Sequence, residues 1–388
     1  MPQSVAALDR CHSILDLRQL AQRRLPRPVF DYVDGAAETE STARRNTTAF
    51  DDKSLIPKCL VDVSNVSTST RVLGQDLKWP LLCSPTGASR LYHPDGELAV
   101  ARAAAEFGVY YGVSVAASHS LEEIATVSSG PKLFQLLVFK DRGLTLDLVD
   151  RCQAAGYAAL CLTVDAVVRG RRERELRSGM GVPPKLTAVS MAHFGMHPRY
   201  LYQYLSGRIR KGPLMLPNMV RRAGSETAEA TSHQLIQQLD PAATWSDVHK
   251  IRERWHGPLA IKGILSAADA RKALDGGATA VIVSNHGGRQ LDSAATPFDV
   301  LPEIVEAVGD RMEVILDGGV RRGVHVVKAL ALGAKACSVG RPYLFGLAAG
   351  GEPGVRRALS ILREELVVAM RLSGCTDVQQ VDRSIISR

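Results

Sequence analysis

The sequence predicts a (β/α)₈ barrel, and three observations carry that expectation. First, eight short apolar segments recur, each ending at Gly, Ser, Asn or a charged residue. They are PLLCSPTG (80–87), YYGVSV (110–115), LFQLLVF (133–139), AALCLTVD (158–165), LAIKGI (259–264), AVIVSN (280–285), EVILDGG (313–319) and ACSVGRP (336–342). Near-continuous apolar strands belong to a parallel sheet covered on both faces. Second, the stretches between them, such as GELAVARAAAEFG, SAADARKALDGG and RRGVHVVKALALG, carry apolar residues at helical spacing and glycine at the C-terminal end. Third, neither GxGxxG nor GxxxxGK[ST] follows the first strand, as a doubly wound nucleotide-binding sheet would have it.

In chain order, the first 79 residues precede the barrel, with a helix expected over ILDLRQLAQRRL (14–25) that would close one barrel end. Strand starts then fall mostly 21 to 33 residues apart. One interval breaks the rhythm, because the fourth strand ends near Asp165 and the fifth begins at Leu259. A helix over TWSDVHKIRERW accounts for the end of that interval, leaving an insertion at about 182–243. Loops of that length in a compact domain are lids, binding elements or disordered. The chain is thus expected to form a single unit over 1–388, large enough for a sizeable core.

Composition narrows the function classes. At 45% hydrophobic and 23% charged residues the chain is ordinary globular protein. The net charge of +8 is local: Val182 to Ala223 holds seven Lys or Arg and no Asp or Glu, and the remainder is close to neutral. No nucleic-acid recognition motif accompanies that charge, so nucleic acid is not an expected partner. Asp9 and Arg10 interrupt any signal-peptide core, and no run of about 18 apolar residues offers a spanning helix. The seven cysteines form no CxxC, and Cys83, Cys161 and Cys337 lie in apolar runs, which suits core packing in a reducing cytoplasm. No metal is expected. HFGMH (193–197) has HxxxH spacing but lacks the glutamate of a zinc-protease helix.

A barrel enzyme builds its site at the C-terminal ends of the strands. Those ends carry Pro85, Thr86 and Gly87; Ser114; Gln135; Thr163 and Asp165; Lys262; Ser284, Asn285 and His286 with Arg289; Asp317, Gly318 and Gly319; and Gly340 with Arg341. Glycines and arginines in LDGGVRRG and SVGRP suit phosphate binding at loops seven and eight. Gln135, Thr163 and Lys262 offer donors for the edge of a heteroaromatic ring. His286, freed by two following glycines, suits a base, Asp165 suits its orienting partner, and Arg289 can fork onto a carboxylate.

SNHGGRQLD, LDGGVRRG, LTVDAVVRGRRERELR, SPTG and FDYVDGAAETE resemble the FMN-dependent α-hydroxy acid dehydrogenase and oxidase family, from about Leu15 to the C-terminus. That family includes glycolate oxidase, L-lactate dehydrogenases and mandelate dehydrogenase. The resemblance implies FMN as cofactor and oxidation of an (S)-2-hydroxy acid to the 2-oxo acid. It implies His286 as base with Asp165 beside it, and Tyr32, Arg172 and Arg289 on the substrate carboxylate. Pro85 to Gly87, Ser114, Gln135 and Thr163 would contact the flavin ring, and Lys262 would favour its anionic reduced form. Ser284, Asp317, Gly318, Gly319, Arg321, Gly340 and Arg341 would complete the cofactor site. Family members are often tetramers, so a homo-oligomer is implied by analogy.

Two positions depart from the family. Leu137 follows FQL where a tyrosine is usual, and Ala116 stands where glycolate oxidase has tryptophan. Both remove an aromatic wall, so the expected substrate side chain is aromatic or long, mandelate-like rather than glycolate. Gly87 occurs in dehydrogenase-type members and alanine in oxidases, a pointer to a quinone or other acceptor over oxygen. MHPRYLYQYLSGRIRKGPLMLPNMVRR (196–222) mixes apolar residues with unopposed positive charge, a composition for an anionic membrane surface, so a peripheral place on the inner face of the membrane is expected. A lid or a subunit contact is the other reading of that segment. An oxygen-using oxidase of lactate or glycolate type, a different phosphate-binding barrel enzyme, and a non-catalytic FMN-binding barrel remain the competing functions.

Overall fold

The computed structural model describes residues 2–180, 188–219 and 232–387. Eight parallel strands close into a barrel: β1 (Leu81–Thr86), β2 (Tyr110–Ser114), β3 (Lys132–Leu136), β4 (Ala159–Thr163), β5 (Leu259–Ile264), β6 (Ala280–Ser284), β7 (Glu313–Asp317) and β8 (Ala336–Val339). β8 pairs with β1 to complete the ring, Cys337 against Leu81 and Val339 against Cys83. All eight expected strands are present, and the polar residues in their last positions or just beyond, from Thr86 and Ser114 to Asp317 and Gly340, form the mouth of the barrel. The helices foreseen between strands form at Gly96–Phe107, Ala267–Asp275 and Gly323–Ala331. Cys83, Cys161 and Cys337 are buried, as their apolar surroundings suggest.

The N-terminal segment divides between the two barrel ends. A hairpin, Thr70–Val72 against Gln75–Leu77, packs Val72, Leu73 and Leu77 onto Leu82, Tyr110, Leu133, Ile282 and Ile315 inside the barrel. Tyr110 donates its hydroxyl to the Leu73 carbonyl at 3.0 Å. The hairpin, and not the expected helix, therefore plugs the barrel. The helix Ile14–Arg24 does form, with a Ser13–Asp16 capping box and Ile14, Leu17 and Ala21 buried on one face. It packs with the helix Arg27–Asp34 against the helix Arg341–Gly350 that follows β8.

The insertion is largely helical where described, at Ala188–Gly195, Pro198–Lys211 and Ser232–Gln238. Residues 181–187 and 220–231, with the basic Lys185, Arg221 and Arg222, lie outside the described residues. Helix Pro198–Lys211 is fixed to the loop after β1. The Arg90 guanidinium donates to the carbonyls of Gly212 (2.7 Å) and Pro213 (3.1 Å), and the Tyr200 hydroxyl donates to Leu91 O (2.9 Å).

Two contacts lock the N-terminal segment to the loop after β6. Asn46 and Asn285 exchange side-chain amide bonds at 2.8 and 2.7 Å. Asp292 accepts from Thr39 Oγ1 (2.6 Å), Ser41 Oγ (2.9 Å) and the Thr42 amide (2.9 Å). Burial alone would raise the Asp292 carboxyl, but the bonds from Thr39, Thr42 and Ser41 hold it well below the usual carboxylate range. A carboxyl depressed by folding adds stability that is present above its unfolded value of about 3.9 and is lost as pH falls through the folded value. Asp292→Asn is therefore expected to lower the urea midpoint at neutral pH, with the gap to wild type closing below about pH 4. A gap that stays constant through that window counts against the lock.

Candidate active site

A cavity of about 250 Å³ opens at the barrel mouth, and the C-terminal ends or following loops of all eight strands contribute to its wall. Of the residues singled out in the sequence, Tyr32, Pro85, Thr86, Gly87, Ser114, Ala116, Gln135, Leu137, Arg172, Lys262, His286, Arg289, Asp317, Gly318, Gly319, Arg321, Gly340 and Arg341 line it. Thr163, Asp165 and Ser284 do not. Each acts one bond back, through Gln135, His286 and Lys262 respectively.

The floor is a buried polar network. Lys262 Nζ lies 2.9 Å from Asp317 Oδ2 and donates to Ser284 Oγ at 2.8 Å, and Ser284 donates on to Asp317 at 2.7 Å. Ser84 donates to the other Asp317 oxygen and bonds Ser338. Burial alone would neutralise both ends of the pair. Against that, Asp317 and Asp165 raise the Lys262 ammonium, while Lys262, Ser84 and Ser284 lower the Asp317 carboxyl. The floor thus keeps a fixed ammonium facing the cavity. Beside it, Ser114 donates to Gln135 Oε1 (2.7 Å) and Gln135 Nε2 donates to Thr163 (3.0 Å), a ladder across β2, β3 and β4.

The motif after β6 explains its own composition. His286 adopts φ +58°, a left-handed backbone that costs a non-glycine residue roughly 1 kcal/mol. Its amide donates to Ser284 Oγ at 3.0 Å. Its Nδ1 sits 3.0 Å from Asp165 Oδ1, and since a carboxylate only accepts, Nδ1 carries the proton and Nε2 is left as a base. Among the described residues the second, buried Asp165 oxygen has no partner, leaving negative charge available to a protonated imidazole. Gln290 donates to Asp165 O (2.9 Å) and Val168 O (2.8 Å), fixing the loop that carries Asp165.

Three guanidiniums converge on one carboxylate. Glu175, buried, pairs with Arg169, with Arg289 NH2 at 3.1 Å and with Arg172 NH1 at 3.6 Å. Arg289 also donates to the Tyr32 and Gly35 carbonyls and lies over the Tyr32 ring, 5.3 Å from its centroid. Burial, then the neighbouring Arg289, push Arg172 down to about 10. The cluster is one carboxylate short of neutral twice over, so an incoming carboxylate meets desolvated, unneutralised donors.

A second excess of positive charge lies at loops seven and eight. Burial pushes Arg321 down to about 10; burial, then Arg289 and Arg321, push Arg341 to about 9. Among the described residues neither forms an ion pair with a carboxylate. Arg341 donates to the carbonyls of Val33, Gly287 and Gly35, while Arg321 donates to Val320 O. Gly319, at φ +76°, lies where an added Cβ would fall 1.8 Å from Asn46 O, so only glycine fits. Cationic side chains, the glycines Gly318, Gly319 and Gly340 on the cavity wall, and the N-terminus of the helix Arg341–Gly350 give a corner that fits a phosphate, and the Ser114–Gln135–Thr163 ladder with Lys262 fits the polar edge of a flavin.

The two departures sit on the same wall. Ala116 and Leu137 line the cavity with Ala166, Val168 and, from the insertion, Leu235, Ile236 and Leu239. Gly87 touches this wall directly: a Cβ added there would lie 2.8 Å from the Ala116 Cβ. Sequence reasoning assigned no role to Ser84, Ser338, Gln290 or Glu175. Ser84 and Gln290 stand inside the SPTG and SNHGGRQLD motifs, a usable signal; Glu175 stands inside LTVDAVVRGRRERELR, where a run of alternating charges hides which one turns inward.

A family model for FMN-dependent dehydrogenases matches residues 21–388. The chain is 45% identical to the L-lactate oxidase of Nostoc sp., covering 96% of this chain and 97% of that protein. It is 38% identical to glycolate oxidase 3 of Arabidopsis thaliana, covering 96% and 95%. Among solved structures it resembles the monotopic membrane protein (S)-mandelate dehydrogenase, with TM-score 0.92, 37% identity, and coverage of 97% of this chain and 99% of that one. Removing the shared counterion is expected to be costly. Glu175→Gln leaves the largely buried Arg172 and Arg289, and the more exposed Arg169, without their shared counterion and should destabilise the protein by about 3–5 kcal/mol, read from urea unfolding; a loss below about 1 kcal/mol would show the arginines to be neutralised elsewhere.

Proposed function

Because the chain belongs to the FMN-dependent dehydrogenase family, we propose that it oxidises (S)-2-hydroxy acids with bulky, apolar side chains to 2-oxo acids. The observation that carries this is the His286–Asp165 pair, 3.0 Å apart, on the same cavity as the partly unneutralised Arg172 and Arg289. A 2-hydroxy acid needs one base at its α-carbon or hydroxyl and one cationic clamp on its carboxylate, and the cavity offers both. FMN, when bound, supplies the acceptor for the two electrons released in that oxidation. Arg321, Arg341 and the glycines of loops seven and eight would hold its phosphate, with Lys262, Ser114, Gln135 and the Pro85–Gly87 backbone along its ring.

Arg172, Arg289 and Tyr32 bind the substrate carboxylate and so present the α-carbon to His286. His286 takes a proton at Nε2, and Asp165, already bonded to Nδ1, stabilises the imidazolium. The substrate side chain lies against Ala116, Leu137, Val168, Leu235 and Ile236. An apolar group there gains about 25 cal/mol per Å² buried, which glycolate, with no side chain, forgoes. Similarity to L-lactate oxidase favours a small substrate, whereas the apolar wall favours the bulky one. In an anaerobic titration we expect mandelate or 2-hydroxyoctanoate to bleach the flavin with higher kcat/KM than glycolate or lactate. His286→Asn should reduce that bleaching by about 10²- to 10⁴-fold at unchanged FMN content. A preference for glycolate sinks the pocket reading, and full activity of the variant sinks the base.

We further propose that electrons pass to a quinone or similar acceptor from a protein seated on an anionic membrane surface. No described helix is long and apolar enough to cross a membrane. On helix Pro198–Lys211, Tyr202 (74% exposed), Leu205 (47%) and Ile209 (85%) fall at i, i+3 and i+7, and Arg199, Arg208 and Arg210 accompany them. Liposomes containing an anionic lipid should sediment the wild type, and Tyr202→Glu with Ile209→Glu should leave the protein in the supernatant. Equal recovery of both forms ends the membrane reading, and rapid flavin reoxidation by air alone ends the acceptor reading.

A further inference from the structure

We propose that Tyr92 is a further substrate-binding residue, its phenol donating a hydrogen bond to the carboxylate end of the bound 2-hydroxy acid; this rests on the function proposed above. Tyr92 follows the short 3₁₀ turn Ser89–Leu91 in the loop after β1, and its side chain lines the cavity together with Tyr32 and Arg289. Tyr32, already assigned to the substrate carboxylate, carries the other phenol on that wall, and the serine and threonine hydroxyls nearby are used. Ser84 bonds Asp317 and Ser338, Ser114 bonds Gln135, and Thr86 bonds Tyr343. Tyr92 is only 4% exposed, yet among the described residues its hydroxyl makes no hydrogen bond. Its oxygen is not among the buried atoms without a partner, so the hydroxyl of this otherwise buried side chain is open to the cavity, where a ligand can accept from it.

The chemistry of the surroundings selects the ligand atom. Burial raises the phenol well above its ordinary value, Tyr32 adds to the rise and Arg289 opposes it, so Tyr92 remains a neutral O–H donor within electrostatic reach of both. Arg172 and Arg289 already draw a carboxylate to this part of the cavity, and a carboxylate has lone pairs for a further donor. Leu137, on the same cavity, can donate nothing.

Tyr92 is also held in place. Its amide donates to Ser89 O at 3.0 Å. On either side the insertion grips the chain, through Tyr200 on Leu91 O at 2.9 Å and through Lys211 on Asp95 at 2.8 Å. A donor fixed before binding spends little entropy in forming its bond.

Tyr92→Phe keeps the ring and its packing, so the holoenzyme should fold with wild-type FMN content and Tm. The probe is benzoylformate, a 2-oxo acid, titrated against the oxidised flavin spectrum, alongside mandelate kinetics. Loss of one hydrogen bond to a charged group should weaken the benzoylformate Kd and raise the mandelate KM about tenfold or more, with kcat changed less than about threefold. Unchanged Kd and KM overturn the role of Tyr92. A loss in kcat alone also overturns it, since a binding residue acts on affinity. Wild-type protein that neither binds benzoylformate nor is bleached by any 2-hydroxy acid overturns the proposed function itself, a result distinguishable from the failure of Tyr92.

Discussion

The mouth of this barrel is governed by an excess of buried positive charge. Lys262, Arg172, Arg289, Arg321 and Arg341 line one cavity, and the carboxylates bonded to them there are Asp317 and Glu175. Desolvating an unpaired ion costs several kcal/mol, so such a site holds together only if something else supplies negative potential. Part of it comes from the N-terminal segment. Carbonyls at the end of helix Arg27–Asp34, those of Tyr32, Val33 and Gly35, accept from Arg289 and Arg341. Arginines on helix-terminal carbonyls satisfy groups that would otherwise lack partners and meet the negative end of the helix dipole. The remaining deficit is what anionic ligands would fill, a phosphate near Arg321 and a carboxylate near Arg172 and Arg289.

That constraint also explains why the N-terminal segment is tied down so heavily. Asp292, Asn285 and Gly288 are spent on Thr39–Thr42, Asn46 and the Ala37 amide. Arg18 and Arg174 both pair with Asp34, at the end of the same helix. Were this segment to lift, Arg289 would lose its bonds to Tyr32 O and Gly35 O and Arg341 those to Val33 O and Gly35 O, leaving Glu175 and Gly287 O. Folding of the first 50 residues and assembly of the cationic mouth are therefore one event physically, although they are far apart in sequence.

The strands were legible because a sheet covered on both faces demands unbroken apolar runs, and their tips were legible because polar residues there break those runs. His286, Asp165, Lys262 and Arg289 could be named for that reason; barrel closure brings His286, Lys262 and Arg289 to one cavity, with Asp165 bonded behind His286. The plug was not legible. Strands of three residues, as at Thr70–Val72, are too short for a periodic pattern to register. Glu175 was hidden for a different reason: in RRERELR every charge looks like the solvated face of a short helix, and only the fold reveals which one turns inward. The insertion reads as basic and apolar, but its grip on the loop after β1 depends on Tyr200 and Arg90 meeting carbonyls, which no pattern encodes.

Selectivity at this mouth then follows from a division of labour between rigid charge and a small-residue wall. One side of the cavity is fixed by ion pairs and cannot adapt without exposing unpaired ions. The other is set by the approach of Gly87 to Ala116, so close that one added methyl would collide, and by Leu137 beside them. Ala116 is further pinned, its amide donating to Ser114 Oγ at 3.1 Å. The room on this side is thus held open by backbone packing and does not depend on a side chain that could swing in to fill it. Leu235, Ile236 and Leu239 border the same room from the insertion, and helix Pro198–Lys211 of that insertion holds the loop bearing Tyr92. The insertion therefore contributes to the pocket at two places, directly through these three side chains and indirectly through the loop that carries Tyr92.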